Sequence, residues 1–433
     1  MLNIYEYGTD ECAEFLSKLK KRAQSPSPEI VSTVNAILDD VKQNGDSAVL
    51  KYTEKFDGAR LTSETLEMKK DELERIASEV DEDLRKSMEK AAQNIRKYHE
   101  KQLRQSFFDT DDTDKLVGMR IRPVKRAGIY VPGGSAAYPS SVLMNCIPAK
   151  TAGVEEIIMT TPLRDGKIPA PVALAAVISG VDRVFLCGGA QAVAALAYGT
   201  QTIPQVDVIA GPGNIFVATA KRLVYGTVDI DMIAGPSEVM TVADKTARPD
   251  YIAADLLSQA EHDALASSVL ITDCKELAQK TASELEKQLA ALERNTIAQK
   301  SVTDFGAAII CKNMDEAFDL ANLIAPEHME VLTQNPISDL SKVKNAGSIF
   351  LGEYSPEPLG DYFAGPNHVL PTNGTARFSS PLSVDTFVKK SGVICYTKKG
   401  LSEYKDDIIR FANSEGLTAH ANSVRIRFNK DQA

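Results

Sequence analysis

The middle of the chain alternates short β-branched runs with glycine turns and alanine-rich segments, and this alternation restricts the fold more than any other sequence feature. The β-branched runs lie at 127–131, 156–161, 183–187 and 206–210, each followed by a segment with helical character. Strands separated by helices are typical of a parallel, doubly wound α/β sheet. We therefore expect such a sheet here, with ligands bound beyond the carboxyl ends of its strands.

Three glycine turns each follow a predicted strand and precede a predicted helix. They are Pro132-Gly-Gly-Ser, Gly188-Gly-Ala-Gln and Gly211-Pro-Gly-Asn. Glycine lets the backbone approach a phosphate, and a helix N-terminus supplies N–H donors and positive potential. No G-x-G-x-x-G motif occurs, so these turns are equally consistent with the tight turns of an ordinary α/β sheet.

The segments before this sheet are rich in helix-forming and charged residues. Apolar residues at helical spacing predict two amphipathic helices within 28–52, separated by Asn44-Gly45, and a third helix from Asp71 to Leu103. His99 lies in that third helix between Tyr98 and Glu100. Its charged surroundings predict an ordinary surface histidine.

The segments after the sheet predict more α/β structure and then a tail. A second α/β stretch runs over 239–343, and 360–383 is a long Gly/Pro/Ser/Asn-rich loop of the kind that is usually functional. The tail contains a predicted helix at 403–413 and a predicted strand at 424–428. It is too short to form its own core, so we expect it to dock on the same chain or on a neighbouring one.

The charge and the cysteine pattern exclude several classes of protein. The chain has 49 Lys and Arg against 59 Asp and Glu, a net charge of −10, which argues against binding to nucleic acid or an anionic membrane. The six cysteines are scattered without a C-x-x-C motif, which favours a reducing compartment. With no secretory signal at the first residues, we expect a cytoplasmic protein that does not enter a membrane.

The chain contains only five histidines, and most of them stand beside other chemically useful groups. Gln259 and His262 have i, i+3 spacing, which suits either a shared metal ion or a solvated polar face. Glu327 and His328 are adjacent after a proline, which suits an acid/base pair or is a chance neighbour relationship. Glu415 and His420 follow a predicted helix end and can equally be surface residues. Together these residues indicate a metal site with nitrogen and oxygen ligands in a dinucleotide-binding α/β enzyme.

Longer stretches of the chain resemble the histidinol dehydrogenase family. The similar stretches begin at Gly211-Pro-Gly-Asn, Ile230-Asp-Met-Ile-Ala-Gly-Pro-Ser-Glu, Leu257-Ser-Gln-Ala-Glu-His-Asp, Ile324-Ala-Pro-Glu-His and Gly360-Asp-Tyr-Phe-Ala-Gly-Pro-Asn-His. A further similar stretch near the start is Gly45-Asp-Ser-Ala-Val-Leu-Lys-Tyr-Thr-Glu-Lys-Phe-Asp. The resemblance covers nearly the whole chain, and the stretch from Gly360 is long enough to be specific.

The resemblance implies an α/β fold with two incomplete Rossmann-like domains that contain parallel sheets, a helical N-terminal segment and a small C-terminal tail swapped in a dimer. The implied divisions are an N-terminal helical segment at 1–25, a large α/β domain at 26–128 plus 237–380, an NAD-binding domain at 129–236, and a tail at 381–433 that enters the partner's active site. The large domain is expected to carry the zinc and acid/base residues.

The resemblance also implies the site residues and the cofactors. The implied zinc ligands are Gln259, His262, Asp361 and His420. The implied acid/base pair is Glu327 and His328. The implied contacts to the substrate L-histidinol are Ser237, Gln259, His262, His328, Asp361, His368, Glu415 and His420. The implied NAD contacts are Tyr130, Gln191 and Asn214.

The implied activity is the zinc-dependent oxidation of L-histidinol to L-histidine through L-histidinaldehyde with two NAD, a late step of histidine biosynthesis, in a homodimer. Two other functions remain open at this point. One is a thiol-dependent NAD aldehyde dehydrogenase that uses Cys146 or Cys187 as its nucleophile. The other is a zinc hydrolase or zinc-binding protein without redox activity.

Overall fold

The structure is a computed structural model, and it describes residues 2–22, 26–110, 112–133 and 138–429. The chain divides into two compact units. The first comprises Met1–Leu103 and Val124–Phe387, and the second comprises Arg104–Pro123 and Val388–Ala433. Among the described residues, no helix combines the length and the apolar character needed to cross a membrane.

The strands of the described residues fall into three sheets. They are β1 (Asn3–Glu6), β2 (Glu67–Met68), β3 (Phe107–Asp109), β4 (Lys115–Pro123), β5 (Arg126–Tyr130), β6 (Glu156–Thr160), β7 (Arg183–Phe185), β8 (Val208–Ala210), β9 (Asp229–Ile230), β10 (Glu238–Ala243), β11 (Ser267–Thr272), β12 (Gly306–Ile310), β13 (His328–Leu332), β14 (Ser348–Leu351) and β15 (Val388–Tyr396).

The α-helices connect these strands or cover the sheets. They are α1 (Asp10–Arg22), α2 (Pro28–Asn44), α3 (Asp46–Asp57), α4 (Lys70–Ala77), α5 (Glu82–Glu100), α6 (Pro139–Ala152), α7 (Ala170–Ser179), α8 (Gly189–Tyr198), α9 (Ile215–Val224), α10 (Pro249–Ala260), α11 (Lys275–Leu289), α12 (Asn295–Phe305), α13 (Met314–Ile324), α14 (Pro336–Asp339), α15 (Glu357–Tyr362), α16 (Lys398–Ser414) and α17 (Thr418–Arg425). Short 3₁₀ turns occur at Leu340–Lys342, Thr375–Arg377, Val384–Phe387 and Ile426–Phe428.

The first sheet of the first unit has the order β2-β7-β6-β5-β8-β9. Its strands run parallel, except that the edge strand β2 pairs antiparallel with β7. Helix α8 is almost entirely buried, because its alanine-rich sequence allows close packing on the sheet, and α6 buries its central residues Ser141–Ala149. The expected parallel α/β architecture is therefore confirmed.

The second sheet of the first unit has the order β1-β12-β11-β10-β13-β14, and all of its pairs are parallel. Every residue of β10, β11 and β13 is buried, as expected for central strands covered by helices on both faces. The N-terminal segment contains helix α1, as expected, but it also supplies the edge strand β1.

The helices between residues 28 and 100 share their hydrophobic core with the first sheet. Val34 and Val49 pack with Phe185, and Ile95 packs with Ile147. The third predicted helix is interrupted, because Asp81 begins a new helix by accepting a hydrogen bond from the backbone N–H of Leu84 at 2.9 Å.

His99 is buried rather than exposed, so the prediction of a surface histidine is wrong. It lies on the same face of α5 as Met88 and Ile95, and its ring is 0% exposed. Its Nδ1 donates to the carbonyl oxygen of Ile95 at 2.8 Å, and its Nε2 lies 3.4 Å from Nδ2 of Asn367. His99 follows Met88 by eleven residues, and this spacing puts both residues on the apolar face of the helix. The charged residues adjacent to His99 in the sequence therefore did not indicate exposure.

The second unit consists of an antiparallel sheet and two helices. Its strand order is β15-β4-β3, and β15 pairs with β4 along the full length of both strands. Helix α17 packs on α16 and buries Ala421. The predicted strand at 424–428 is wrong, because α17 continues to Arg425 and a 3₁₀ turn follows. The alternation of apolar and basic residues there fits a strand, but a helix that starts at Thr418 satisfies its own backbone locally.

Candidate active site

The expected site residues of the first unit lie at one edge of each sheet. Tyr130 is the last residue of β5, so it lies at the carboxyl edge of the first sheet. Ser237 immediately precedes β10, and His328 is the first residue of β13, so these residues lie at the amino edge of the second sheet. The two parallel neighbours β10 and β13 place Val239 opposite His328.

The two edges come close to each other near Tyr362. Burial, followed by the charges of Asp361 and Glu357, raises the pKa of Tyr362, and Glu261 and Tyr138 contribute further to this shift. Tyr138 directly precedes α6, which follows the first glycine turn. The residues around Asp361 are therefore near the carboxyl edge of the first sheet as well as the amino edge of the second.

The backbone of a single residue, Glu238, orients both members of the expected acid/base pair. The backbone N–H of Glu238 donates to Oε2 of Glu327 at 2.9 Å, and the backbone carbonyl of Glu238 accepts from Nδ1 of His328 at 2.9 Å. Because a carbonyl oxygen only accepts, Nδ1 carries the proton and Nε2 presents its lone pair. Among the described residues Nε2 has no hydrogen-bond partner, although it is buried.

The lone pair of His328 faces a group of acidic side chains. Nε2 of His328 lies 3.7 Å from Oε1 of Glu357 and 4.0 Å from Oδ1 of Asp361. The same Asp361 oxygen lies 3.6 Å from Nδ1 of His368. His328, Glu357 and Asp361 each offer a ligand atom within 4.8 Å of the others, so these three can hold a metal ion.

Burial controls the protonation of this group. It is the main cause that lowers the pKa of His328 and of His368, and the nearby Asp361 charge partly opposes it in both. Burial also raises the pKa of Glu327 well above its usual range and the pKa of Glu357 to about 9. His328 and His368 are therefore neutral near pH 7, with lone pairs available to accept a proton or bind a metal.

Gln259 and His262 lie beside this group, on either side of a helix end. Gln259 is in the last turn of α10 and is 1% exposed, and its Oε1 has no hydrogen-bond partner among the described residues. His262 follows the helix in a turn in which its N–H donates to the Gln259 carbonyl at 3.2 Å. The charge of His262 contributes to the lowered pKa of His328 and of His368, so it lies near both rings.

The amide oxygen of Gln259, which lacks a hydrogen-bond partner among the described residues, indicates whether these residues suit a metal ion. A buried polar atom without a partner is costly, and a bound cation would satisfy it. Oxygen from Gln259, oxygen from Asp361 and nitrogen from His262 form a donor set that zinc accepts. The residues present therefore fit a zinc ion.

The remaining expected substrate contacts are in different places. Ser237 is half-buried, and its carbonyl accepts from the backbone N–H of Ser267 at 3.0 Å. Glu415 and His420 belong to the second unit, where Glu415 follows α16 and His420 lies in α17. Both of these side chains are exposed.

Two glycine turns converge on Tyr130 at the carboxyl edge of the first sheet. The N–H of Gly189 donates to the Tyr130 hydroxyl oxygen at 3.1 Å, and burial raises the pKa of Tyr130 to about 12. Gly211 has a φ of +118°, and a Cβ atom there would lie 2.1 Å from the Tyr130 carbonyl oxygen. In the first turn, Gly134 and Ser135 lie outside the described residues.

Gln191 and Asn214 differ in how their side chains are used. Gln191 is 0% exposed, and neither its Oε1 nor its Nε2 has a hydrogen-bond partner among the described residues. Asn214 caps α9, because its Oδ1 accepts from the N–H groups of Phe216 and Val217 at 3.0 and 3.2 Å. The unpartnered amide of Gln191 next to a glycine turn suits a polar ligand such as a dinucleotide.

The two cysteines of the thiol alternative are poorly placed for catalysis. Cys146 and Cys187 are both 0% exposed. Burial raises the pKa of Cys146 to about 12 and also raises the pKa of Cys187. Since the thiolate is the nucleophile, neither residue has the electropositive, accessible surroundings of a catalytic cysteine.

Sequence reasoning missed three residues at this site: Arg22, Glu238 and Glu357. Glu238 is the last residue of the Gly-Pro-Ser-Glu stretch, which is one of the stretches that resemble the family. Its position in a turn before a strand could have indicated that it belongs to the site. Arg22 and Glu357 carry no local signal, because their roles depend on contacts with residues far away in the chain.

Comparison with known proteins identifies the family. The histidinol dehydrogenase family model matches residues 20–428. The histidinol dehydrogenase of Clostridium acetobutylicum is 51% identical over 429 residues, which is 99% of each chain. That of Caldanaerobacter subterraneus subsp. tengcongensis is 52% identical over 431 residues, which is 100% of each chain.

A solved structure agrees with the sequence comparisons. The crystal structure of histidinol dehydrogenase from Elizabethkingia anophelis has a TM-score of 0.92 and 36% sequence identity, and the match covers 98% of each chain. The resemblance and the expected α/β fold class with parallel, Rossmann-like sheets are thereby confirmed. The chain belongs to the histidinol dehydrogenase family and is an oxidoreductase of histidine biosynthesis.

Proposed function

We propose that the chain oxidises L-histidinol to L-histidine through L-histidinaldehyde, with zinc bound at the site and two NAD consumed in succession. The observation that carries this proposal is the Nε2 atom of His328, which is buried opposite Asp361 without a hydrogen-bond partner among the described residues, with Glu327 held by the backbone of the same residue, Glu238. This arrangement offers a proton acceptor and a second carboxyl group within one dry site, as two consecutive oxidations require.

The proposed zinc ligands are Gln259, His262 and Asp361 of one chain and His420 from the tail of a second copy. The free amide oxygen of Gln259 supports this set. Bound zinc would hold the imidazole and amine of histidinol and so fix the orientation of the alcohol carbon. His328, Glu357 and Asp361 form an alternative ligand set.

His328 and Glu327 divide the proton transfers between them in this proposal. In the first oxidation, Nε2 of His328 takes the hydroxyl proton as a hydride passes from the alcohol carbon to NAD. Glu327 then removes a proton from the water that adds to the aldehyde, while the protonated His328 gives its proton to the aldehyde oxygen, which frees Nε2 again. His328 takes the hydroxyl proton of the resulting hydrate as the second hydride leaves for the second NAD. The high pKa of Glu327 brings this carboxyl nearer to the neutral pH at which a general base works best.

The substrate is further contacted in this proposal by Ser237, His368 and Glu415. NAD binds at the carboxyl edge of the first sheet, against Tyr130, Gln191 and Asn214. The unpartnered Gln191 amide and the glycine turns beside Tyr130 support this location. Helix N-termini at those turns add positive potential for the pyrophosphate.

A homodimer is part of the proposal, because Glu415 and His420 are assigned to the active site of a second copy. Their exposure supports this, since both are accessible to a neighbouring chain. The second unit also exposes Ile394 at 77% and Phe411 at 70%, which suits a surface covered by a partner. A cytoplasmic location completes the proposal and fits the unpaired cysteines of the described residues.

The proposal is tested by following NADH absorbance when the purified chain is given L-histidinol and NAD. We expect NADH to form, to stop forming after a zinc chelator is added and removed, and to form again after zinc is restored. A zinc hydrolase or binding protein without redox activity predicts no NADH under any of these conditions. Activity that persists after verified removal of the metal would contradict the zinc assignment.

A further inference from the structure

We infer that Arg22 is a positioning residue for the acid/base pair, acting through an ion pair with Glu238. The inference rests on the proposed function, because it concerns the residues assigned to proton transfer there. Arg22 is the last residue of α1, in the N-terminal segment, and it is 216 positions away from Glu238 in the sequence.

The guanidinium of Arg22 is held in a buried place between two polar groups. Its side chain is 1% exposed, its Nη1 donates to the carbonyl oxygen of Leu265 at 2.7 Å, and its Nη2 donates to Oε1 of Glu238. Its central carbon lies 5.5 Å from the centre of the Phe305 ring. A planar group with donors in two directions is needed for these contacts, and arginine is the residue that provides it.

The Glu238 carboxylate is fixed from its other side as well. Its Oε2 accepts from the backbone N–H of Asn373 at 3.2 Å, within the long glycine-rich loop. The side chain of Glu238 is therefore restrained by Arg22 and Asn373 together. Restraint of the side chain also restrains the backbone to which it is attached.

Both catalytic side chains depend on that stretch of backbone. Glu238 donates its N–H to Glu327 and accepts from Nδ1 of His328 through its carbonyl. A displacement of Glu238 would therefore move the Glu327 carboxyl and the His328 ring at the same time. An error of about 1 Å in such a placement can cost about 100-fold in rate.

Loss of the Arg22 charge would produce that displacement. A buried carboxylate without its cation is strongly destabilised, and it regains stability by turning toward water or taking up a proton. Glu327 is close by, since the charge of Arg22 also interacts with it. Arg22 is not among the proposed substrate or NAD contacts, so its effect on the reaction is exerted through Glu238.

The test compares Arg22→Met with the double variant Arg22→Met/Glu238→Gln. We expect Arg22→Met to lower kcat by about 10- to 100-fold, with the KM for histidinol and for NAD changed by less than about threefold and zinc retained. The double variant removes both buried charges, so it should recover at least about threefold of the lost kcat. Arg22→Lys keeps a charge but cannot reach both partners, so its loss should be smaller.

Lys18→Met is the matched control. Lys18 lies on the same helix and approaches the same Phe305 ring at 5.0 Å, but its side chain is 50% exposed and pairs with Asp304. We expect this variant to keep the kcat and both KM values of the unmodified chain.

Two kinds of result would overturn the inference. One is an active unmodified chain whose folded Arg22→Met variant keeps its kcat. The other is that Arg22→Met and Arg22→Lys both lose kcat only in proportion to a loss of bound zinc or of folded protein, and that the double variant does not recover kcat. If the unmodified chain itself makes no NADH from histidinol, the proposed function fails, and this inference fails with it for that separate reason.

Discussion

At His328, a single hydrogen bond determines which ring nitrogen is available for chemistry. The carbonyl of Glu238 accepts from Nδ1 and leaves Nε2 unprotonated and without a partner among the described residues. Burial lowers the pKa of the ring, so it stays neutral at physiological pH and can take a proton from a substrate. The role of the residue therefore follows from one contact and from its dry surroundings.

At the residue scale, the two possible zinc ligand sets predict that different variants lose bound zinc. Oε2 of Glu357 already accepts from the Ser258 hydroxyl at 3.3 Å, and burial raises the pKa of Glu357 to about 9, so we assign it no zinc bond. We expect His262→Asn to lose bound zinc and Glu357→Gln to retain it, as measured by elemental analysis after dialysis. If instead His262→Asn retains zinc and Glu357→Gln loses it, the result would support a zinc ligand set of His328, Glu357 and Asp361.

The buried His99 predicts a dependence of stability on pH. Burial lowers its pKa in the folded chain, whereas in the unfolded chain the pKa is about 6.5. Below that pH the unfolded chain binds the extra proton, so the free energy of unfolding falls as the pH drops, by at most about 1.4 kcal/mol per pH unit from this group. His99→Gln should reduce this slope between pH 6.5 and 5 in denaturant titrations.

The same variant should also be less stable at pH 7. The contacts of His99 with Ile95 and Asn367 would be weakened, at a cost of about 1–3 kcal/mol. An unchanged slope below pH 6.5 in His99→Gln would show that the histidine is already protonated in the folded chain, contrary to its burial.

At the scale of elements, the turns after β7 and β8 depend on how closely they approach Tyr130. Gly189 contacts the hydroxyl of Tyr130, and Gly211 leaves no space beside its backbone. Parallel pairing puts both turns at the carboxyl edge of the sheet, and the helices that begin there direct their N–H groups to this edge. The proposed NAD site is therefore formed mainly by backbone geometry.

Gly211→Ala, compared with Gly226→Ala, separates backbone strain from the loss of space. Both glycines have positive φ, +118° and +99°, but a Cβ atom at Gly226 meets no atom within 4 Å. We expect both variants to lose about 1–2 kcal/mol of stability from strain. Only Gly211→Ala should displace the turn, and it should raise the KM for NAD about tenfold, which corresponds to about 1.4 kcal/mol. Equal KM values in the two variants would contradict the assignment of this turn to NAD.

Much of the element order could be predicted because hydrophobic periodicity is a local property. The alternation around β5–β8 predicts a parallel sheet, and α9 begins directly after Gly211-Pro-Gly-Asn, where a helix is expected. The predicted strand at 424–428 failed because a five-residue alternation does not show whether a neighbouring strand exists to pair with it. Ladder hydrogen bonds are non-local, whereas a helix satisfies its backbone within its own segment.

The site could be predicted only in part, for a related reason. Glu327 and His328 are adjacent, and their proximity to each other is visible in the sequence. The backbone of Glu238, which orients both side chains, is about 90 residues away from them in the sequence. The two members of the Arg22–Glu238 ion pair are 216 positions apart. Such contacts arise from the parallel pairing of β10 with β13 and from the position of α1, which single-sequence patterns do not specify.

At the scale of the whole molecule, the second unit carries two of the proposed site residues. Glu415 and His420 are exposed there, and the proposal assigns them to the active site of a second copy. A swapped tail of this kind makes each active site the product of two chains. Activity should then depend on which chain supplies which residue.

Mixing two inactive variants tests the shared site. His328→Asn alone should lower turnover about 10²- to 10⁴-fold, and His420→Asn alone should lose zinc binding. In a heterodimer of the two, one site combines an intact His328 with an intact His420 if the tail is swapped, and NADH formation should return at that site. Verified heterodimers that stay inactive would show that each chain uses its own tail.

The stoichiometry of NADH per histidinol tests the central claim most directly. With a limiting amount of L-histidinol and excess NAD, the unmodified dimer should form two NADH for each histidinol consumed and release L-histidine as the product. One NADH per histidinol, with the aldehyde accumulating, would contradict a single site that carries out both oxidations. No NADH at all would contradict the proposed reaction itself.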